Sequence, residues 1–265
     1  MKITIIGCGW LGIQVGEHLS KQGHFIQGSY RSEAQKEKIS KTSITGFKFN
    51  SDLKSQISTD ISDNTNLLIL LLPPIKRKEP NHYATVLRNC VQQFPKTTNV
   101  IFTSSVGVYP SKEGVFKETY LFEANHHSVT RNAEIELQKQ FKNRLTILRL
   151  GGLIGPNRHP IKSMQGKLIS NDGKATVNLI HSEDVSRAIN SISIKNDFGK
   201  CYNLVFPLEV GKNIYYPLMV EKYNLNKIYF GAGKSVNRRI DGQLICKDHG
   251  FNYCENPINF NEQLF

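Results

Sequence analysis

A glycine turn set between a β-branched run and an amphipathic run opens the chain, and few folds accommodate that order. Ile3, Ile5 and Ile6 form a short stretch that reads as a strand buried on both faces. The stretch breaks into Gly7-Cys8-Gly9-Trp10-Leu11-Gly12. Leu11, Val15 and Leu19 then recur every four residues, one face of a helix. Strand, G-x-G-x-x-G turn and helix in this order fit a dinucleotide phosphate loop. In such a loop Gly7 permits the tight turn, Gly9 lets a pyrophosphate approach the backbone, and Gly12 lets helix pack on strand. The open N–H groups and positive end of the helix face the phosphates. The competing reading is a glycine turn with no ligand, because fold alone does not guarantee function.

The remaining pattern builds an α/β domain. His24 to Tyr30 reads as a second strand, Gly46 to Phe49 as a short third, and Leu67 to Leu72 as a fully buried one stopped by Pro73-Pro74. Tyr83 to Phe94 reads as a helix, Val100 to Thr103 as a strand, and Leu145 to Leu150 as another. Val129, Ala133, Leu137 and Phe141 give a clean i, i+4 stripe. Alternating strands and helices predict a Rossmann-type doubly wound parallel sheet with right-handed crossovers. After Gly151 the pattern loosens into an irregular segment, a short strand at Val177 to Ile180, and a helix capped by Ser182. Cys201 to Val205 is expected to return to the main sheet, and Val210 to Tyr223 and Ile240 to His249 to be helices. The division drawn is a dinucleotide-binding core over 1–155 and a small C-terminal substrate lobe over 156–265 that is interleaved with the core.

Composition narrows the class. The 265 residues carry 34 Lys and Arg against 22 Asp and Glu, a net charge of +12. The basic residues are spread along the chain, with Lys76-Arg77-Lys78 the compact cluster, and no groove-reading motif accompanies them. No nucleic acid is therefore expected, and the charge suits a polyanionic cofactor. The 5 cysteines are scattered and never C-x-x-C, which argues against a disulfide framework or a metal site and for a reducing, cytoplasmic setting. The first strand starts at residue 2, so no signal peptide is expected, and the Leu67–Pro74 run is too short to span a membrane.

The end of the second strand speaks to the cofactor. An NAD site usually places Asp or Glu there for the ribose 2′-OH. Here no carboxylate lies between Glu17 and Glu33, and the strand ends in Tyr30-Arg31-Ser32. A guanidinium pairs with a 2′-phosphate through two parallel bonds, and a hydroxyl adds a third, so NADP is expected over NAD. The expected cofactor-binding residues are Gly7, Gly9, Trp10, Leu11, Gly12, Arg31, Ser32, Leu72 and Pro73.

Phe102-Thr103-Ser104-Ser105-Val106-Gly107-Val108-Tyr109 resembles the SS-x-x-VY signature of extended and atypical short-chain dehydrogenases/reductases. The resemblance implies that Ser105 polarises a substrate carbonyl or hydroxyl, work suited to a group that both donates and accepts. The alternative is a serine that closes a strand end on local backbone. The superfamily's Y-x-x-x-K pair is absent from the following helix. Placing the usual downstream glutamate on Glu136 puts Ser128 and Asn132 at the Tyr and Lys positions. His127 and Arg131, spaced i, i+4, are the replacement pair expected from the residues: a group that titrates near neutral pH and a cation.

From end to end the chain resembles the YeeZ-like atypical short-chain dehydrogenase/reductase family, which is NAD(P)-dependent epimerase/dehydratase-like. GCGWLG at 7–12, FTSS-x-x-VY at 102–109, LRLGGLIGPNRHP at 148–160, VNLIHSEDV at 177–185, YNL at 202–204 and IDGQLICKDHGF at 240–251 carry the likeness. It implies a Rossmann fold, an NAD(P) site and a small substrate lobe. Arg158 and His159, and His181 of an H-x-x-D element with Asp184, are the expected substrate contacts. Two functions stay open. One is an NADP-dependent oxidoreductase or epimerase-type enzyme acting on a small polar substrate, and the other a non-catalytic NADP-binding redox sensor. A homodimer is the assembly expected if the chain associates.

Overall fold

The computed structural model describes residues 1–51, 55–74, 81–123, 126 and 128–264. The Lys76–Lys78 cluster and His127 lie outside the described residues. The strands are β1 (Lys2–Ile6), β2 (Phe25–Tyr30), β3 (Thr45–Lys48), β4 (Leu67–Leu70), β5 (Asn99–Ser105), β6 (Leu145–Leu150) and β7 (Cys201–Leu204). They form one seven-stranded sheet in the order β7-β6-β5-β4-β1-β2-β3. β1 pairs in parallel with β2 (Ile3↔Ile26) and with β4 (Ile3↔Leu67), so order reverses beside β1. Such a reversal opens a crevice at the carboxyl ends of the strands, where open α/β sheets bind ligands. β4 is a continuous apolar run because helices cover both faces; Leu67 to Leu70 are all buried, as are Ile3, Ile5 and Ile6 of β1.

The helices that cover the sheet are α1 (Trp10–Lys21), α2 (Glu33–Ser40), α3 (His82–Val91), α4 (Val129–Phe141) and α5 (Ser182–Lys195). α3 and α4 bury Tyr83, Val86, Leu87 and Cys90, and Ala133 and Leu137, against Leu68, Leu70, Phe102 and Ile147. Each large apolar side chain buried this way contributes about 1.5–3 kcal/mol. The stripe read from sequence in α4 is the face that packs.

By internal contacts the chain forms two compact units from interleaved segments. The first takes Met1–Val108, Glu123–Arg149 and Val185–Tyr202; the second takes Tyr109–Phe122, Leu150–Asp184 and the chain from Asn203 onward. The second unit has its own core, where α6 (Lys212–Lys222) supplies Tyr215, Tyr216, Met219 and Val220 against Ile154, Ile161, Leu179 and Phe260. Three short parallel ladders complete it: Gly152–Ile154 with Leu179–His181, Leu168–Asn171 with Tyr229–Gly233, and Gly114–Phe116 with Arg238–Ile240. The helix expected over Ile240 to His249 is shorter. Arg238–Ile240 pairs as a strand, Asp241 Oδ1 accepts from Gln243 N at 2.9 Å in a turn, and α7 covers only Leu244–His249. Gly242 explains the break, since a Cβ there lies 2.5 Å from the Val205 carbonyl oxygen. Among the described residues no helix is long and apolar enough to cross a membrane.

Candidate functional site

The glycine loop joins β1 to α1. Gly7 has φ +89, and a Cβ on it lies 2.9 Å from the Leu71 carbonyl carbon and oxygen, so only glycine fits. Its N–H donates to Ser29 Oγ (2.9 Å), and the Gly9 N–H donates to the Gly7 carbonyl (2.7 Å), which closes the turn. A Cβ on Gly12 lies 3.1 Å from the Gly7 oxygen, the close helix-to-strand approach that motif spacing predicts. Gly9 differs. Its φ is −89 with ψ −145, and the nearest atom to an added Cβ is Gln35 Nε2 at 3.9 Å. Packing within the protein therefore explains Gly7 and Gly12 and leaves Gly9 unexplained. α1 starts without a capping side chain and with no acid in its first turn, a helix end suited to anions.

Trp10 and Leu11, in the first turn of α1, are half-buried. β4 lies beside β1 (Ile6↔Leu70), so Leu72 and Pro73 leave the sheet next to the loop. The Leu72 carbonyl accepts from Tyr83 Oη at 2.7 Å, and Pro73 is exposed. Cys8 fills the space left by Gly28, and burial pushes its thiol up to about 12, which makes it a packed rather than a reactive group.

At the end of β2, Arg31 and Ser32 are exposed. Ser32 Oγ accepts from Gln35 N at 3.4 Å and caps α2. Gln35, which the sequence reading passed over, joins this turn to the glycine loop. Its Nε2 donates to the Cys8 carbonyl (2.7 Å) and its Oε1 accepts from Arg31 N (3.2 Å). Gly9 and Arg31, expected to serve opposite ends of an adenosine ribose and its phosphates, thus flank one side chain.

Ser105 ends β5 half-buried, and its Oγ accepts from Gly107 N at 3.1 Å. That bond leaves its hydroxyl proton unused. Ser104 points to the other face, as strand alternation requires, and donates to Glu134 Oε1 at 2.6 Å. Glu134 is fully buried on α4 and is held by two parallel bonds from Arg149 (3.0 and 2.7 Å) and one from Arg131 Nη1 (3.1 Å). The buried glutamate is Glu134, two positions before the Glu136 used to align the motif; Glu136 is half-buried and meets Arg88 at 3.4 Å. Counting back from Glu134 puts His126 and Thr130 where the superfamily has Tyr and Lys. His126 Nε2 donates to the Val108 carbonyl at 2.6 Å. Ser128 caps α4 by accepting from Arg131 N (3.1 Å), and Asn132 Nδ2 donates to Asn81 Oδ1 (3.3 Å).

The three expected substrate contacts stand in the second unit. Arg158 is exposed on a tight turn bridged by Gly155 and Arg158, with Asn157 at φ +60. His159 is buried in a relay of bonds. Ile161 N donates to Nδ1 (3.1 Å), Nε2 donates to Tyr215 Oη (2.8 Å), and Tyr215 donates to the Pro257 carbonyl (3.3 Å). Burial lowers the imidazole to about 4, which matches the neutral tautomer this relay needs. His181 is also buried; Nδ1 accepts from Glu183 N (3.1 Å) and Nε2 lies 3.3 Å from Glu262 Oε2. His159 and His181 therefore hold their own unit's backbone and C-terminal segment, and Arg158 is the expected contact that points a charge outward. Asp184 is structural too, accepting from the Cys254 and Glu255 amides at 3.0 and 3.2 Å. Tyr109 of the VY pair is buried, and its hydroxyl meets Asn203 Oδ1 at 2.8 Å. No group of three or more metal-ligating side chains occurs among the described residues.

The strand order and the glycine loop on β1 define a Rossmann-type fold. Solved structures share that fold. MoeE5 in complex with UDP-glucose and NAD superposes with a TM-score of 0.74 at 18% identity, over 97% of this chain and 94% of the other. UDP-glucuronic acid 4-epimerase from Bacillus cereus in complex with NAD gives 0.77 at 16% identity, over 98% and 95%. No family model matches the chain. Protein YeeZ of Escherichia coli strain K12 is 31% identical over 271 residues, 95% of each chain. The chain belongs to the YeeZ family.

Proposed function

We propose that the glycine loop binds NADP and that the chain is an oxidoreductase or epimerase-type enzyme for a small polar substrate. The observation that carries the nucleotide is Gly9, a glycine with nothing closer than 3.9 Å to its missing Cβ, so the open space is kept for something outside the protein. Gly9, Trp10, Leu11 and Gly12 would hold the pyrophosphate on the start of α1, between Gly7 and the Leu72–Pro73 edge. Arg31 and Ser32 would take the 2′-phosphate, a preference for NADP over NAD supported by the lack of a carboxylate at the end of β2. The neighbouring fold carries NAD in MoeE5 and in the Bacillus epimerase, which supports a nicotinamide cofactor here.

A bound nicotinamide supplies hydride transfer. The chain's own part is positioning and proton handling. Ser105 has a hydroxyl proton to offer a carbonyl oxygen at the end of β5. Arg131, fixed to Glu134, brings a cation to the start of α4, and the proton carrier expected from sequence is His127. Arg158 is the expected anchor for an anionic substrate. The test begins with binding. Gly9→Ala is expected to weaken NADPH binding at least tenfold by blocking backbone approach, with the fold retained; unchanged affinity overturns the nucleotide reading. Turnover of reduced nicotinamide across carbonyl compounds and nucleotide sugars, lost in Ser105→Ala, then supports the enzyme.

A second reading has its own support. Ser128 and Asn132, which the Glu136 alignment puts in place of the Tyr/Lys pair, are spent on a helix cap and an amide bond. That favours a non-catalytic NADP-binding redox sensor. Tight NADPH binding with no turnover on the same panel, isomerase assay included, selects it.

A further inference from the structure

We propose that Gln35 sets the cofactor preference of the glycine loop: its side chain clamps the Arg31–Ser32 turn to the loop and holds Arg31 ready for a ribose 2′-phosphate. The proposal rests on the reading that the loop binds NADP. Gln35 lies in the first turn of α2, and it is half-buried while Ala34, Lys36 and Glu37 beside it are exposed. Its amide is therefore turned inward. There it spans two chain segments that no covalent bond brings together. Nε2 donates to the Cys8 carbonyl inside the glycine loop at 2.7 Å, and Oε1 accepts from the Arg31 amide at 3.2 Å. Its own backbone N–H meets Ser32 Oγ at 3.4 Å. Oε1 closes the start of α2 in the manner of a capping box, and Nε2 ties that turn to the glycine loop.

Two consequences point toward the ligand. Gln35 Nε2 is the atom nearest to the empty position above Gly9, so the clamp borders the opening that the phosphates would enter. Fixing the Arg31 backbone sets the point from which its side chain extends, and preorganisation of that kind raises affinity for the group it meets. A neutral amide tolerates a dianionic phosphate nearby. A carboxylate at the same place repels phosphate and has no N–H for the Cys8 carbonyl, so it releases the clamp. Gln35 is on this view a positioning residue: it acts through Arg31.

The experiment titrates the full chain with NADPH and NADH, and with adenosine 2′,5′-bisphosphate and AMP as fragments lacking nicotinamide. In the wild type the 2′-phosphorylated member of each pair is expected to bind about tenfold or more tightly. Gln35→Met keeps length and volume but makes no amide bonds. It is expected to cut that ratio by about fivefold while NADH affinity stays within about twofold. Gln35→Glu is expected to bring the ratio to about one or below. In an Arg31→Ala background, Gln35→Met is expected to leave the ratio where Arg31→Ala set it, the signature of one residue acting through the other. The melting temperature of each variant checks the fold. A wild-type ratio retained in both Gln35→Met and Gln35→Glu overturns the proposal. So does a parallel loss of NADPH and NADH affinity, which marks Gln35 as a brace for the loop. Equal wild-type affinities overturn the NADP reading beneath it, and no binding of either nucleotide overturns the nucleotide reading itself.

Discussion

An added methyl group meets different surroundings at each glycine of the loop, and the spacing of the motif does not reveal which. At Gly7 it meets backbone at 2.9 Å with φ at +89. Gly7→Ala is therefore expected to cost about 2–3 kcal/mol in urea unfolding, the scale of a strained backbone. At Gly9 the space is open, so Gly9→Ala is expected to stay within about 1 kcal/mol of wild type, the difference between glycine and alanine at an N-cap. A larger loss there means that the loop's own packing needs Gly9. His159 gives the second residue-scale prediction. Its folded value, about 4, lies below the ordinary 6.5, so between those values the unfolded chain takes a proton that the native one refuses. Stability is then full above pH 6.5 and falls as pH drops toward 4, by about 3 kcal/mol in all. His159→Gln lacks that titration, and its stability curve is expected to converge on the wild type at acid pH. Parallel curves refute the assignment. Reading the sequence for a substrate contact missed this because the partners, Tyr215 and Pro257, lie 56 and 98 positions along the chain.

The elements were legible where periodicity alone decides them. The stripe Val129, Ala133, Leu137 and Phe141 marks α4 to the residue, and the apolar run of β4 marks its burial. What periodicity hides is a polar residue turned inward. Glu134 follows Ala133 on the helix and reads as a solvated carboxylate, yet it is the hub that ties α4 to β5 through Ser104 and to β6 through Arg149. Its partners lie 30 and 15 residues away, a distance at which sequence spacing carries no contact signal. Likewise Gln35 looks like one more polar residue of α2. Removing Glu134 leaves two guanidinium groups without their carboxylate in a buried place. Glu134→Ala is expected to destabilise by about 3–5 kcal/mol, the cost of breaking a buried ion pair by deleting one partner. Glu134→Gln, which keeps an acceptor for Ser104 and Arg149, is expected to lose less. Equal losses would mean that the charge, which both variants remove, and not volume is what matters there.

At the scale of the molecule, alternation of strand and helix predicts the doubly wound parallel sheet but not its strand order, nor that the segment 109–122 joins the second unit, because it does so by contacts the local pattern does not carry. The charge of +12 belongs to this scale as well. Spread without a groove, it acts as a long-range field that draws any polyanion, and salt screens it: the Debye length falls from about 10 Å at 0.1 M to about 3 Å at 1 M. The glycine loop works differently, through fixed N–H groups and close approach, and salt weakens such contacts less. The two contributions therefore separate on titration with salt. NADPH carries one phosphate more than NADH, so its affinity is expected to fall more steeply with ionic strength, and the NADPH-to-NADH ratio to shrink several-fold between low salt and 1 M. At 100 times its Kd in low salt, NADPH is expected to stabilise the unit that binds it by about 2.7 kcal/mol. For a chain of this size that corresponds to a rise of about 5–10 °C in Tm, and Gly9→Ala is expected to cut it by about half or more at the same nucleotide concentration. If the rise is unchanged in Gly9→Ala but vanishes in salt, the nucleotide is held by the diffuse field alone. A rise that survives salt and shrinks in Gly9→Ala places it on the loop.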